Sequence, residues 1–167
     1  MVRFCFLLSL NLAAANIDLQ AQQEIPLGTW REHLSFNAVK FLASGDAKIF
    51  AASENAILQF GVNDQDFTIY SNLNALSTNG ITAIAYDDQR DQLVVGYQNG
   101  ALDFIREDQV LAYTRLINPS DVTVSTAIRH LLIAENNAYI STAYGMVVFD
   151  LGRNEVRETW RNLGASG

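Results

Sequence analysis

From about residue 38 onward the chain is a succession of short apolar and polar alternations separated by polar turns. The middle of it shows the pattern best. Ile81-Thr82-Ala83-Ile84-Ala85-Tyr86 alternates, Asp87-Asp88-Gln89-Arg90-Asp91 is a polar turn, and residues 92–97 are largely β-branched and apolar. Gln98-Asn99-Gly100 then reads as a tight hairpin turn, because an Asn-Gly pair tolerates the positive φ angles that a two-residue connection needs. Residues 101–105 give a third strand, Arg106-Glu107-Asp108 a turn, and residues 109–114 an outer strand. Short runs with a period of two predict strands, and no stretch sustains the 3.6 period of a helix. Leu131-Leu132-Ile133-Ala134 has the composition of a short helix, but its place in the pattern predicts a strand.

The pattern repeats. Ile49-Phe50-Ala51-Ala52-Ser53-Glu54-Asn55-Ala56-Ile57-Leu58-Gln59-Phe60 returns as Leu93-Val94-Val95-Gly96-Tyr97-Gln98-Asn99-Gly100-Ala101-Leu102-Asp103-Phe104. It returns again, more loosely, as Tyr139-Ile140-Ser141-Thr142-Ala143-Tyr144-Gly145-Met146-Val147-Val148-Phe149. The closing phenylalanines stand at 60, 104 and 149. Strands are therefore expected at 38–42, 48–53, 56–60 and 67–70 in the first unit. In the third they are expected at 128–133, 138–143, 146–150 and 156–160. A repeat of roughly 40–50 residues made of short strands is that of a β-propeller blade.

The outer strands echo one another as Tyr70-Ser71-Asn72-Leu73, Tyr113-Thr114-Arg115-Leu116 and Trp160-Arg161-Asn162-Leu163. Their aromatic residues, Trp160 among them, are expected to pack between blades. Thr29-Trp30-Arg31 repeats Thr159-Trp160-Arg161 ahead of the first unit. It is expected to be a closing strand that completes the last blade of a ring and leaves no open edge. The fold predicted is all-β: a partial β-propeller of about three four-stranded blades plus an N-terminal closing strand. Asn162-Leu163-Gly164-Ala165-Ser166-Gly167 matches the link Asn72-Leu73-Asn74-Ala75-Leu76-Ser77 that leads into a blade. Residues 22–167 are therefore expected to be an incomplete propeller, the N-terminal fragment of a longer protein. The alternative is a short chain that assembles into a ring.

Composition narrows the function. With 49% hydrophobic and 17% charged residues the chain has the material for a core, which excludes intrinsic disorder. A formal net charge of −7 argues against a nucleic-acid backbone as partner, which requires clustered Lys and Arg. Residues 1–21 read as a signal peptide: Arg3 precedes an apolar run over 4–15 that is too short to span a bilayer, and Leu19-Gln20-Ala21 offers a cleavage site. Cleavage after Ala15 is the alternative. The single cysteine, Cys5, falls inside this segment, so the mature chain would hold no disulfide, thiolate metal site or cysteine nucleophile. No later stretch is apolar for long enough to be a transmembrane helix.

Candidate chemistry is sparse. His33 and His130 lie at non-equivalent positions of different units, without metal-ligand spacing. The acids of residues 87–91 lack the glycine and distal glutamate of a calcium loop and are expected to form a solvated turn. Ser35, Ser77 and Ser125 recur before the inner strands without a nucleophile elbow and are expected to cap turns. No cofactor, metal or catalytic residue is expected. Two aromatics depart from their repeat, Tyr97 and Tyr144, each beside a turn between second and third strands. With Gln98 and Asn99 they form the candidate binding site. Aromatic and amide side chains on one rim suit a glycan or protein contact, whereas the opposite rim collects most of the acids.

Leu76-Ser77-Thr78-Asn79-Gly80-Ile81-Thr82-Ala83-Ile84, with Asp87-Asp88 and Leu93 to Gly100 after it, resembles the regulator-propeller repeat of periplasmic sensors and exported Bacteroidota proteins. Ala75, Val94 and Tyr97 depart from its pattern. Gly28-Thr29-Trp30-Arg31-Glu32-His33-Leu34-Ser35 and the stretch from Gly96 to Asp103 resemble, more narrowly, the N-terminal propeller of PorZ-type proteins, accessories of the type IX secretion system. This resemblance implies a non-enzymatic exported scaffold or recognition module, in the periplasm or at the surface of a Gram-negative cell. Its partners would be other secretion-system proteins at the outer membrane and an anionic lipopolysaccharide on its way to surface anchoring. The runner-up is the periplasmic sensor propeller of a hybrid two-component regulator. A propeller lyase or glycosidase lacks a supporting residue pair.

Overall fold

The computed structural model describes residues 38–107, 109–117 and 123–161. Within them are twelve strands and three four-stranded antiparallel sheets. The first blade is β1 (Phe41–Gly45), β2 (Lys48–Ala52), β3 (Ala56–Gly61) and β4 (Phe67–Ser71). Next come β5 (Ile81–Asp87), β6 (Gln92–Tyr97), β7 (Leu102–Arg106) and β8 (Gln109–Tyr113), and then β9 (Ile128–Ala134), β10 (Asn137–Thr142), β11 (Gly145–Asp150) and β12 (Glu155–Arg161). Each sheet is a simple meander in chain order, the architecture of partial propeller blades. The signal peptide, the Trp30 strand, His33, Ser35 and the final link lie outside the described residues.

Every strand but the first falls within one residue of its expected span. β1 begins three residues late because its register with β2 pairs Phe41 with Ala52 and Gly45 with Lys48. That leaves only Asp46-Ala47 to turn the chain, with Ala47 at a φ of 52°. The small polar run Ser44-Gly45-Asp46 resembles a loop, yet its first two residues pair. Leu131 to Ala134 is strand, as its repeat position requires. The turn at 98–100 differs from the two-residue form: only Gly100 takes a positive φ, of 81°, while Gly100 N donates to Tyr97 O and Tyr97 N to Ala101 O. One left-handed glycine after an ordinary turn replaces the pair of left-handed residues.

Blade 2 is buried on both faces, and its strands show how a period of two serves two cores. Leu93, Val95 and Tyr97 of β6 join Ala101 and Ile105 in a cluster with Phe50, Ala52, Ile57 and Tyr70 of blade 1. Val94, Leu102 and Phe104 point the other way, into a cluster with Ile128, Leu131, Ala138, Ile140, Val147 and Phe149 of blade 3. Each large apolar side chain so buried contributes about 1.5–3 kcal/mol. Gly96 is required by closeness: a Cβ there would come within 2.7 Å of Ile128.

Candidate functional site on the turn rim

The turns between second and third strands and the links between blades are laced together. Gly80 N and Ile81 N, from the link into blade 2, donate to Glu54 O in the turn of blade 1 at 3.0 and 2.8 Å. Gln98 N donates to Gly80 O at 2.9 Å, and Leu116 N to Gly100 O at 3.2 Å. The Thr126 hydroxyl donates to Asn99 O. This rim is therefore continuous across the three blades, as the repeat implied.

The four candidate residues divide on it. Gln98 and Asn99 are exposed at the tip of the blade 2 turn. Asn99 also braces that turn, its Oδ1 accepting from Ala101 N at 3.0 Å. Tyr97 and Tyr144, expected as surface contacts, are interior residues. Tyr97 is 0% exposed, and its hydroxyl donates to Asp103 Oδ2 at 2.6 Å. It has the same parity on β6 as Leu93 and Val95, so the strand itself turns it toward blade 1. Tyr144 is 7% exposed within the cluster between blades 2 and 3. Its hydroxyl meets no hydrogen-bond partner among the described residues, and the neighbouring Thr142 hydroxyl is committed to Gly145 O at 2.8 Å. Burial raises the pKa of both phenols, and for Tyr97 the Asp103 hydrogen bond adds to it. The two tyrosines lie in different cores and do not converge.

Comparison of equivalent positions explains Tyr97. The residues at the junction of second strand and turn are Ser53, just past β2, and Tyr97 and Thr142, which end β6 and β10; all are buried and all bear a hydroxyl. In blades 1 and 3 the hydroxyl ties its own turn, donating to Ala56 O and Gly145 O respectively. In blade 2 Asn99 performs that task, and the longer tyrosine reaches instead to Asp103. Asp103 is 0% exposed; besides Tyr97 it accepts Ser77 N at 2.8 Å, while its Oδ1 has no partner among the described residues. Asp103 escaped the sequence reading. Its signal was a carboxylate sharing the apolar row of Ala101 and Ile105.

The opposite rim is less solvated than its acids suggest. Asp87 is 1% exposed and accepts from Gln89 N at 3.1 Å, Arg90 Nη1 at 3.1 Å and Gln92 Nε2 at 3.0 Å. It closes its turn from the inside rather than facing water. Asp91 receives Tyr86 Oη and Lys48 Nζ, which hold its carboxyl below the usual range, the tyrosine first. Because Lys48 belongs to blade 1, this pair bridges two blades. Ser125 accepts from Ala127 N and caps a turn as expected. His130 is exposed on β9.

A family model described as the N-terminal β-propeller domain of PorZ, of the type IX secretion system, matches residues 49–166. The chain belongs to this family. PorZ of Porphyromonas gingivalis, reported as an essential bacterial surface component of the type IX secretion system, superposes with a TM-score of 0.67 at 24% identity. The match covers 74% of this chain and 17% of PorZ. The extracellular domain of a putative hybrid two-component system from B. thetaiotaomicron superposes at 0.61 and 17% identity, covering 75% and 17%. AztD of Citrobacter koseri superposes at 0.59 and 14% identity, covering 79% and 37%. At these identities the likeness concerns the fold, and the chain spans about a sixth of the first two proteins. No curated protein matches the sequence. As a member of the PorZ propeller family the chain is a propeller module, and among its described residues no helix is long and apolar enough to cross a membrane.

Proposed function

We propose that this chain supplies the N-terminal blades of an exported, non-enzymatic accessory protein of the type IX secretion system. In this reading residues 1–21 direct export, residues 22–167 begin a longer propeller, and the protein acts in the periplasm or at the cell surface. It would present anionic lipopolysaccharide, or a secretion partner, to the machinery that anchors cargo. The family match over residues 49–166 carries the reading. It supports a secretion accessory over a sensor, whose resemblance is in fold. The contact surface proposed is the turn rim, with Gln98 and Asn99 as its exposed amides and Tyr97 and Tyr144 as the buried supports of their turns.

The test is a Gln98→Ala, Asn99→Asp double variant of the full-length protein. Aspartate keeps the oxygen that braces Ala101 N and removes the donor. Loss of two hydrogen bonds worth about 0.5–1.5 kcal/mol each predicts roughly tenfold weaker binding to purified anionic lipopolysaccharide, or impaired anchoring of cargo. Wild-type binding and anchoring by a folded variant would refute the rim as the contact.

A further inference from the structure

On the rim that collects the acids, one cleft has no carboxylate among its described lining residues. It opens between blades 2 and 3 with a volume of about 460 Å³, lined by Arg90, Gln92, Arg106 and Gln109 on one side and Leu151, Gly152 and Asn154 on the other. Its apolar lining is Phe104, Val110, Leu111 and Leu151. We propose that this cleft binds a small anion, a carboxylate or phosphate carried on a body with an apolar face. The site lies on the rim opposite Gln98 and Asn99 and does not depend on the function proposed above.

The strand register builds the site. Phe104 and Leu111 are opposite one another on the face of blade 2 that meets blade 3. Arg106 has the same parity as Phe104, and its pairing partner Gln109 that of Leu111. Gln92 lies one step beyond the Leu93–Ile105 pair, so it stands opposite Arg106. Behind these side chains runs a buried network. Asp87 Oδ2 holds Arg90 Nη1 at 3.1 Å and Gln92 Nε2 at 3.0 Å, and Gln92 Oε1 accepts from Arg106 Nη2 at 3.5 Å.

That network fixes the donors without consuming them. Asp87 neutralises Arg90 but takes only one of its five N–H groups among the described contacts. Arg106 is exposed and makes no ion pair among the described residues; its charge reaches Asp91, whose carboxyl Tyr86 and Lys48 already hold, so most of the guanidinium's N–H groups face the cleft without a described partner. Guanidinium groups match carboxylate and phosphate oxygens with paired hydrogen bonds. The volume falls within the range of small-molecule pockets, whose usual form is an apolar lining with few fixed polar groups. A neutral or cationic ligand would not engage the Arg106 fork as an anion does.

Ligand-observed saturation-transfer NMR on the full-length protein tests this, with benzoate, phenyl phosphate and the neutral benzamide as probes. Saturation transfer to benzoate, phenyl phosphate or both is expected, and none to benzamide; which anion responds identifies the favoured head group. Arg106→Gln is expected to weaken binding at least about fivefold, and Arg106→Lys to restore only part of it, because lysine returns the charge without the fork. Arg106 is exposed, so these variants leave the buried Asp87 pair intact and fold independently of the outcome. Equal responses from benzamide and the anions, no response from either anion, or unchanged anion binding in Arg106→Gln would overturn the proposal.

Discussion

Blade 2 has two neighbours, and it meets them by different chemistry. Toward blade 3 the junction is mainly hydrocarbon: Phe104 stacks on Phe149 with ring centres 5.4 Å apart, Tyr113 meets the same ring edge-on at 5.0 Å, and aliphatic residues with Tyr144 fill the rest. Toward blade 1 the apolar cluster is threaded with polar contacts. Tyr97 reaches Asp103, Tyr70 donates to Gln59 at 3.0 Å, and Lys48 and Tyr86 meet on Asp91. The hydrocarbon junction tolerates small changes of direction, because burial is nearly proportional to area and not directional. Of the polar contacts only the exposed Lys48–Asp91 pair crosses between the blades; the Tyr97 and Tyr70 hydrogen bonds each lie within one blade, where they are directional, expensive to leave unmade and sensitive to protonation.

The comparison breaks most visibly at the hydrocarbon junction. Phe149 is fully buried and touches both rings. Phe149→Ala is expected to cost about 3–5 kcal/mol, from lost transfer energy and the cavity left behind. Denaturant unfolding of the purified protein measures it. A loss under about 1 kcal/mol would mean that the two blades do not pack as described.

At the polar junction the expected effect is smaller and its sign can be reversed. Tyr97→Phe leaves the ring and takes one donor from Asp103, a carboxylate whose Oδ1 already lacks a described partner. The cost expected is about 1–3 kcal/mol. Adding Asp103→Leu removes the stranded acceptor, so the double variant is expected to be more stable than Tyr97→Phe alone. If the double variant is instead the less stable, Asp103 has a value beyond its tyrosine, through Ser77 N at the link.

Most of this architecture was legible in the residues. The alternation that sends Leu93 and Val95 one way and Val94 the other is written in the chain, as is the turn at Gly100. Side-chain destinations were less so. Tyr97 was read as an outlier on a turn because its equivalents are Ser53 and Thr142. What the three share is a buried hydroxyl, visible only once the turns are built. Asp87 was read as solvated for want of a view of Gln92 and Arg90 folding over it. The cleft beside Arg106 was illegible because its two walls are more than forty positions apart in the chain and belong to different blades.

Alkali should act more on the polar junction, with its two hydrogen-bonded tyrosines, than on the junction with blade 3, where burial raises the Tyr144 pKa. Burial and the Asp103 hydrogen bond hold Tyr97 protonated well above its ordinary range, and burial and Asp91 do the same for Tyr86. A group whose folded pKa is raised contributes stability that is complete below its unfolded value, about 10 for tyrosine, and lost as pH climbs through the folded one. The tyrosine contribution is therefore expected to be flat below about pH 10 and to fall above it, while the Asp91 contribution is lost only in acid, as pH falls through its lowered folded pKa. Tyr97→Phe should flatten that fall, whereas Phe149→Ala should lower the whole curve without changing its slope. Parallel curves for wild type and Tyr97→Phe would deny the tyrosine its role.

The smallest effect belongs to Trp160, which the repeat suggested as an anchor between blades. The structure places it 45% exposed on β12, opposite Met146, with its indole N–H donating to Glu158 Oε2 at 2.9 Å. The neighbouring Thr159 is opposite Val147, a residue of the core shared with blade 2. Successive strand residues point to opposite faces, so Trp160 is on the side away from blade 2. In a chain of this sequence Trp160→Ala is therefore expected to cost under about 1 kcal/mol, since little apolar area leaves the interior. The proposed longer propeller makes a different forecast for the same residue. A further blade laid on this face would bury the ring, and the cost in the full-length parent would rise toward about 3 kcal/mol. Measuring the substitution in both chains separates the cases. A small cost in both would mean that nothing packs on this side of blade 3.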